Sequence, residues 1–130
     1  MRAEALRKPL LTLALCVGLG MPAVARAQTI RVLVQSSPLA GFQYHQGPAL
    51  WDQLREGDAL ELTPEPGNPH DSRAVQVRWR GHMLGYLPRL ENRSAAAEFA
   101  RGGRLVGRIA RLTPARNPWA RLRVDVYLEL

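Results

Sequence analysis

Apolar and polar side chains alternate most regularly at the C-terminal end of the chain. Over residues 121–130 every second position is leucine or valine, and the positions between them are arginine, aspartate, tyrosine or glutamate. A period of two predicts a strand with one face in the core and the other in water. The same period over residues 75–80 places Val75, Val77 and Trp79 on one face and the polar side chains on the other.

Shorter apolar runs predict the remaining elements. Strands are expected over residues 30–34, 60–62, 82–87 and 105–112, with the first ended by residues 36–38 and a hairpin turn at Arg80-Gly81. The alanine-rich stretch 95–100 predicts a helix that is capped by residues 92–94 and closed by Gly102-Gly103, and residues 49–54 predict a helical turn. Many short strands and a single short helix predict an all-β fold, a small barrel of about six strands.

Residues 1–27 have the layout of a secretory signal peptide. Arg2, Arg7 and Lys8 precede the apolar run 10–17, and Ala25-Arg26-Ala27 is a small-residue cleavage motif. We therefore expect cleavage after Ala27, a domain over residues 28–130, and an exported protein, periplasmic or secreted, that is not stably inserted in the membrane. The alternatives are an uncleaved anchor and a misassigned start codon.

Charge and cysteine content limit the chemistry of the domain. The full chain carries a net charge of +7, and every basic side chain after residue 27 is arginine. Arginine suits phosphate contacts and stacking on bases, although an arginine-rich composition also follows from a GC-rich genome. The single cysteine lies within the first 27 residues, so the domain has no disulfide and no thiol nucleophile.

The segment 65–75 reads E-P-G-N-P-H-D-S-R-A-V and links two of the predicted strands. Its prolines, glycine and asparagine are typical of a tight loop. A rigid loop that presents Asn68, His70 and Asp71 beside a strand can contact a ligand. The alternative is that Asn68 and Asp71 only hydrogen-bond the backbone of their own loop.

The pattern E-P-x-N-P-x-D-x-x-A-V, followed by G-Y-L-P-R at residues 85–89, resembles the HIRAN domain family. G-F-Q-Y-H at residues 41–45, L-R-E-G-D at residues 54–58 and Asn92 fit the same family. The resemblance covers roughly residues 30–130 and implies an OB-like barrel. It also implies a non-enzymatic binding module, since the best-understood members of this family bind single-stranded DNA at its 3′ hydroxyl end.

The resemblance further implies a DNA-end pocket built from three segments. Its expected nucleic-acid-binding residues are Gln43, Tyr44, Asn68, His70, Asp71, Tyr86 and Arg89. In the DNA-binding members a basic residue precedes the tyrosine and an aromatic residue precedes the aspartate. Here Gln43 and His70 take those two positions.

The sequence contains no phosphate-binding loop and no histidine spacing that indicates a metal site, so we expect no cofactor and no enzymatic activity. The expected function is binding of a single-stranded nucleic-acid end by a monomer. Because export removes the protein from replicating DNA, the same pocket could instead bind an envelope ligand or protein. A small hydrolase that uses His70 and Asp71 is a third hypothesis.

Overall fold

The computed structural model describes Gly18, Gly20 and residues 29–130. The expected signal peptide, residues 1–27, lies outside the described residues except for those two glycines. Within the described part of the chain, no helix has the length and apolar character needed to cross a membrane.

Six strands and two α-helices make up the domain. The strands are β1 (Arg31–Pro38), β2 (Ala59–Glu65), β3 (Ala74–Trp79), β4 (His82–Tyr86), β5 (Arg104–Leu112) and β6 (Leu122–Glu129). The helices are α1 (Gly47–Leu50) and α2 (Arg93–Ala100). Short 3₁₀ turns cover Phe42–Tyr44, Trp51–Gln53 and Pro118–Ala120.

The strands form one antiparallel sheet in the order β1-β6-β5-β2-β3-β4. The two ends of this sheet meet at a single bridge between Ala40, just after β1, and Tyr86 at the end of β4. The Ala40 N–H donates to the Tyr86 carbonyl at 2.8 Å, and the Tyr86 N–H donates to the Ala40 carbonyl at 2.9 Å. This seam closes the sheet into a small OB-like barrel, which confirms the predicted fold class.

The core fills the inside of the barrel with apolar side chains from β2 to β6, from α2 and from the turns, whereas the buried side chains of β1 are the polar Gln35 and Ser37. Val75, Val77 and Trp79 of β3 are buried on one face, as the alternation predicts. In β6, Leu122, Val124 and Val126 are buried in the same way. Phe42 is fully buried under the 3₁₀ turn that follows the seam. Removing this apolar surface from water is the main stabilising term for a domain without disulfides.

The structure corrects three expectations for individual elements. The first strand does not end at Ser36 but continues to Pro38, because residues 36–38 pair with residues 123–125 of β6. Leu130 lies beyond the end of β6 and is exposed. The Asn92 side chain makes no capping bond to α2. It is buried and donates instead to the Asp71 carboxylate.

The turn and helix-end predictions are confirmed. Arg80 and Gly81 both have positive φ, 46° and 80°, in the hairpin between β3 and β4. That combination is typical of a two-residue turn whose twist matches the strands. At the end of α2, Gly102 has a φ of 80°, and the N–H groups of Gly102 and Gly103 donate back to Phe99 and Glu98.

Candidate functional site

Five of the seven predicted site residues surround one cavity at the barrel seam. We call this cavity of about 320 Å³ the seam pocket. Its lining residues are Ala40, Asn68, His70, Asp71, Ala74, Tyr86, Leu87 and Arg89. They come from the 65–75 segment, from the end of β4 with the residues after it, and from Ala40, two residues after β1, so the closure of the barrel brings three distant segments together.

Asn68 holds the loop in shape. Its Oδ1 accepts the N–H groups of His70 at 2.9 Å and Asp71 at 3.2 Å, and its Nδ2 donates to Glu65 at 3.0 Å. Two of these bonds are the bracing of the loop's own backbone that the alternative predicts, and the third joins Asn68 to the Glu65 carboxylate. One N–H of its amide group remains free to donate to a ligand.

Glu65 connects the loop to the sheet and was missed as a site residue. Its carboxylate accepts bonds from Asn68 Nδ2, from Gln76 Nε2 and, at 3.2 and 3.3 Å, from the Tyr86 hydroxyl. Burial and the neighbouring Glu65 charge both raise the pKa of Tyr86, so its phenol stays protonated and donates. The initial glutamate of the E-P-x-N-P motif was the signal that could have identified this role.

Asp71 is ionised and held on both oxygens. Oδ1 accepts the Arg73 N–H at 2.9 Å, and Oδ2 accepts Asn92 Nδ2 at 2.8 Å. Burial by itself would raise the pKa of Asp71, but these two bonds and the charges of Arg73 and Arg89 together lower it. Each carboxylate oxygen has a second lone pair, so Asp71 can still accept a bond from a hydroxyl group of a ligand.

A second, mostly apolar cavity adjoins the seam pocket. This adjoining cavity of about 420 Å³ shares Ala40 and Arg89 with the seam pocket. Its other lining residues are Pro38, Pro88, Leu90, Glu91 and Trp119. The indole of Trp119 is 50% exposed, although it lies beside apolar neighbours. Sequence reasoning missed Trp119. The only signal for it was an aromatic residue directly after the proline-containing loop 113–118.

Gln43 and Tyr44 do not line either cavity. They lie on the 3₁₀ turn Phe42–Tyr44, which begins two residues after Ala40. Tyr44 is 81% exposed, so its ring belongs to the surface and not to the core. The structure thus places both residues next to the seam on the outside, on the same chain segment that forms one wall of the pocket.

The charge pattern suits a ligand that carries both hydroxyl and phosphate groups. Asp71 supplies a fixed negative charge inside the seam pocket, while exposed Arg89 stands between the two cavities. Among the described residues, no group of three His, Cys, Asp or Glu side chains is close enough to hold a metal ion. The arrangement is that of a binding site, with the hydrogen-bond acceptors of Asp71 in the seam pocket, the Arg89 guanidinium at its rim and the Trp119 indole in the adjoining cavity.

Comparison with known proteins identifies the family. The sequence matches the HIRAN domain over residues 32–130. The chain belongs to the HIRAN domain family. HIRAN domains are binding domains.

Two solved structures resemble this HIRAN domain. A protein from Lactobacillus plantarum is 27% identical with a TM-score of 0.67, and the alignment covers 78% of this chain and 98% of that one. The HIRAN domain of human HLTF is 20% identical with a TM-score of 0.57, and the alignment covers 76% of this chain and 78% of that one. The second likeness shows the fold alone. No curated protein matches the chain.

Proposed function

We propose that this HIRAN domain binds the 3′ end of a single-stranded nucleic acid, with the terminal nucleotide in the seam pocket. The observation that carries the proposal is the convergence of Asn68, His70, Asp71, Tyr86 and Arg89 on one cavity. These residues match the segments that hold the DNA end in DNA-binding members of the family. Their convergence is supported by the hydrogen bonds of the loop and does not depend on the family likeness.

Asp71 would recognise the free end. Its ionised carboxylate can accept a bond from the terminal sugar hydroxyl, which is a strong charge-assisted bond. A phosphate on that hydroxyl would remove the donor and bring a negative charge against the carboxylate. The bonds from Arg73 and Asn92 fix the carboxylate before the ligand arrives, so little ordering entropy is lost on binding.

Aromatic rings and arginine would hold the rest of the end. Trp119 in the adjoining cavity and exposed Tyr44 each offer a ring face on which a base can stack, a contact worth about 1–3 kcal/mol per base. Arg89 lies between the two cavities, where the phosphate that links two nucleotides would pass. Gln43 would contribute hydrogen bonds but not the positive charge of the basic residue that DNA-binding members have at its position. The His70 ring, which takes the position of an aromatic residue in those members, would offer a smaller stacking face.

The test is a fluorescence titration of the full chain with two oligonucleotides of equal sequence, one ending in a 3′ hydroxyl and the other in a 3′ phosphate. We expect tighter binding of the hydroxyl end. We also expect a weaker salt dependence for Arg89→Ala, because one phosphate contact is lost. Loss of about 1–3 kcal/mol of binding free energy on Trp119→Ala, with recovery in Trp119→Phe, would support stacking.

Two results would count against the proposal. Equal affinity for the two ends would contradict recognition of the terminal hydroxyl. Absence of binding to either strand at low salt would exclude nucleic acid as the ligand and would favour the envelope ligand that the expected export suggests.

A further inference from the structure

Two arginines lie directly opposite each other on the outer face of the barrel. Arg111 of β5 and Arg123 of β6 are register partners, and both are exposed. Like charges in directly opposed positions of an antiparallel pair destabilise the sheet. A pair of this kind therefore needs a structural or functional reason.

A β-bulge creates the pair. In β5, residues 105, 107 and 109 are buried, so a strict period of two would point Arg111 into the barrel. The register shifts between Ile109 and Arg111, which leaves Ala110 as an extra residue. This shift turns Arg111 to the outer face, opposite Arg123. Bulges often redirect a side chain in this way beside functional sites.

Neither arginine of the pair makes an ion pair within the described residues. The ion pairs there are Arg31 and Arg104 with Glu129 and Arg101 with Glu98, and none includes Arg111 or Arg123. Two acidic side chains lie nearby. Asp125, the register partner of Arg108, lies two residues beyond Arg123 on the same face of β6, and Glu56 accepts the Leu112 N–H at 3.1 Å.

Arg123 is held in place by a neutral partner. Its guanidinium donates to the Ser36 hydroxyl at 3.2 Å and to the Ser36 carbonyl at 3.1 Å. These bonds fix the group without cancelling its charge. The remaining guanidinium N–H groups are available to an anion.

The pair is continuous with the adjoining cavity. Pro38 lines that cavity and is itself the register partner of Arg123 on the other side. Trp119, in the same cavity, lies in the 3₁₀ turn that leads into β6. A chain that leaves the seam pocket past Arg89 and Trp119 would therefore reach Arg123 next, and Arg111 beside it.

We propose that Arg111 and Arg123 form a second phosphate-binding site, which holds the bound strand on the 5′ side of its terminal nucleotides. This inference rests on the proposed function. Two guanidinium groups side by side can bind a phosphate group through several charge-assisted bonds, and the bound anion relieves their mutual repulsion. The site contributes only when the strand is long enough to pass the adjoining cavity.

Arg93 provides a control. It lines another cavity of about 410 Å³, formed by α2, the 65–75 loop and the end of β2, which shares Ala74 with the seam pocket but no residue with the adjoining cavity. Arg93 makes no ion pair within the described residues. Arg93→Gln removes the same charge as Arg111→Gln but lies away from the proposed path. The two variants separate a defined contact from a general loss of positive charge.

The experiment titrates the full chain, Arg111→Gln, Arg123→Gln and Arg93→Gln with oligonucleotides of about three and about twelve nucleotides, all with a free 3′ hydroxyl. For the longer strand, we expect Arg111→Gln and Arg123→Gln to weaken binding roughly three- to tenfold at low salt and to reduce the salt slope by about 0.7. For the shorter strand, we expect every variant to bind with the same affinity as the wild-type chain.

Each other outcome has a defined meaning. Equal losses in Arg93→Gln and Arg111→Gln would overturn the site, because they would show a general charge effect. Equal losses for the short and long strands, or no loss in Arg111→Gln, would overturn it as well. If the wild-type chain bound neither strand, the proposed function itself would fail. If the wild-type chain bound the strands and the arginine variants bound them with the same affinity, only the second site would be contradicted.

Discussion

Asp71 combines a structural and a recognition role in one carboxylate. Its folded-state pKa is lowered by the bonds from Arg73 and Asn92 and by the charges of Arg73 and Arg89, which outweigh the effect of burial. A lowered pKa stabilises the folded state above the unfolded pKa of about 3.9, and this stabilisation is lost as the pH falls through the folded value.

The lowered pKa of Asp71 determines how the stability of the fold changes with pH. We expect Asp71→Asn to be less stable than the wild-type chain at neutral pH, and we expect the difference in unfolding free energy to shrink below about pH 4. Urea unfolding of both proteins at several pH values measures this difference in unfolding free energy. A difference that stays constant from neutral to strongly acidic pH would show that the Asp71 charge does not stabilise the fold.

Glu65 connects the loop to the sheet through three hydrogen-bond donors. Replacing it with alanine leaves the donors of Asn68, Gln76 and Tyr86 without their common acceptor, which should cost about 1–3 kcal/mol of unfolding free energy. We expect weaker nucleic-acid binding as well, since the loop loses its attachment to the sheet. Thermal unfolding and the titration described above measure the two effects.

Glu61 provides the matched control for that variant. It lies on the same strand, is exposed, and accepts one longer bond of 3.3 Å from Gly81. Glu61→Ala should leave stability and binding close to those of the wild-type chain. If both alanine variants behaved alike, the carboxylate of Glu65 would have no special role in the pocket.

At the scale of the elements, Gly85 allows the barrel to close. It has a φ of 155°, and a Cβ at this position would lie 2.3 Å from the Ala40 carbonyl oxygen. Ala40 and its partner Tyr86 make the seam, so Gly85→Ala should open it and displace the Tyr86 side chain. We expect lower stability together with lost ligand binding, whereas Gly67→Ala, which meets no atom within 4 Å, should preserve both.

Thermal unfolding and titration of the two glycine variants test the importance of the seam. A Gly85→Ala protein with unchanged melting temperature and affinity would show that the close approach of β4 and Ala40 is not needed. The comparison also separates a geometric effect from the general cost of adding a methyl group.

The strands were predictable where alternation is local. β3 and β6 have one apolar and one polar face, so their sequences alone indicate which side chains are buried. The bulge in β5 was not predictable, because it depends on the pairing with β6 and not on β5 itself. The continuation of β1 through Ser36 has the same cause, since a partner strand stabilises residues whose own propensity is weak.

The site was predictable in part through the order of its motifs. The resemblance brought Asn68, Asp71, Tyr86 and Arg89 together, and the structure places all four around one cavity. Physical reasoning from the loop alone left open whether Asn68 faces a ligand or its own backbone. Trp119 was not predictable, because only the closed barrel brings residues 118–120 beside the seam.

At the scale of the whole molecule, the fold is that of residues 29–130, whereas the expected export rests on residues 1–27. The described domain is a complete barrel with a basic surface. Export remains a proposal that rests on the sequence of residues 1–27. We expect N-terminal sequencing of protein from the cell-envelope fraction to begin at or near Gln28. Recovery of protein that begins at Met1 from the cytosol would contradict export and would remove the main reason to consider an envelope ligand.

The central claim is that the Asp71 carboxylate recognises a free 3′ end. The most direct measurement compares the wild-type chain and Asp71→Asn, each titrated with a strand that ends in a 3′ hydroxyl and with the same strand carrying a 3′ phosphate. We expect the wild-type chain to prefer the hydroxyl end and Asp71→Asn to lose most of that preference, because asparagine no longer repels the phosphate. An undiminished preference in Asp71→Asn, with the variant folded, would contradict the claim.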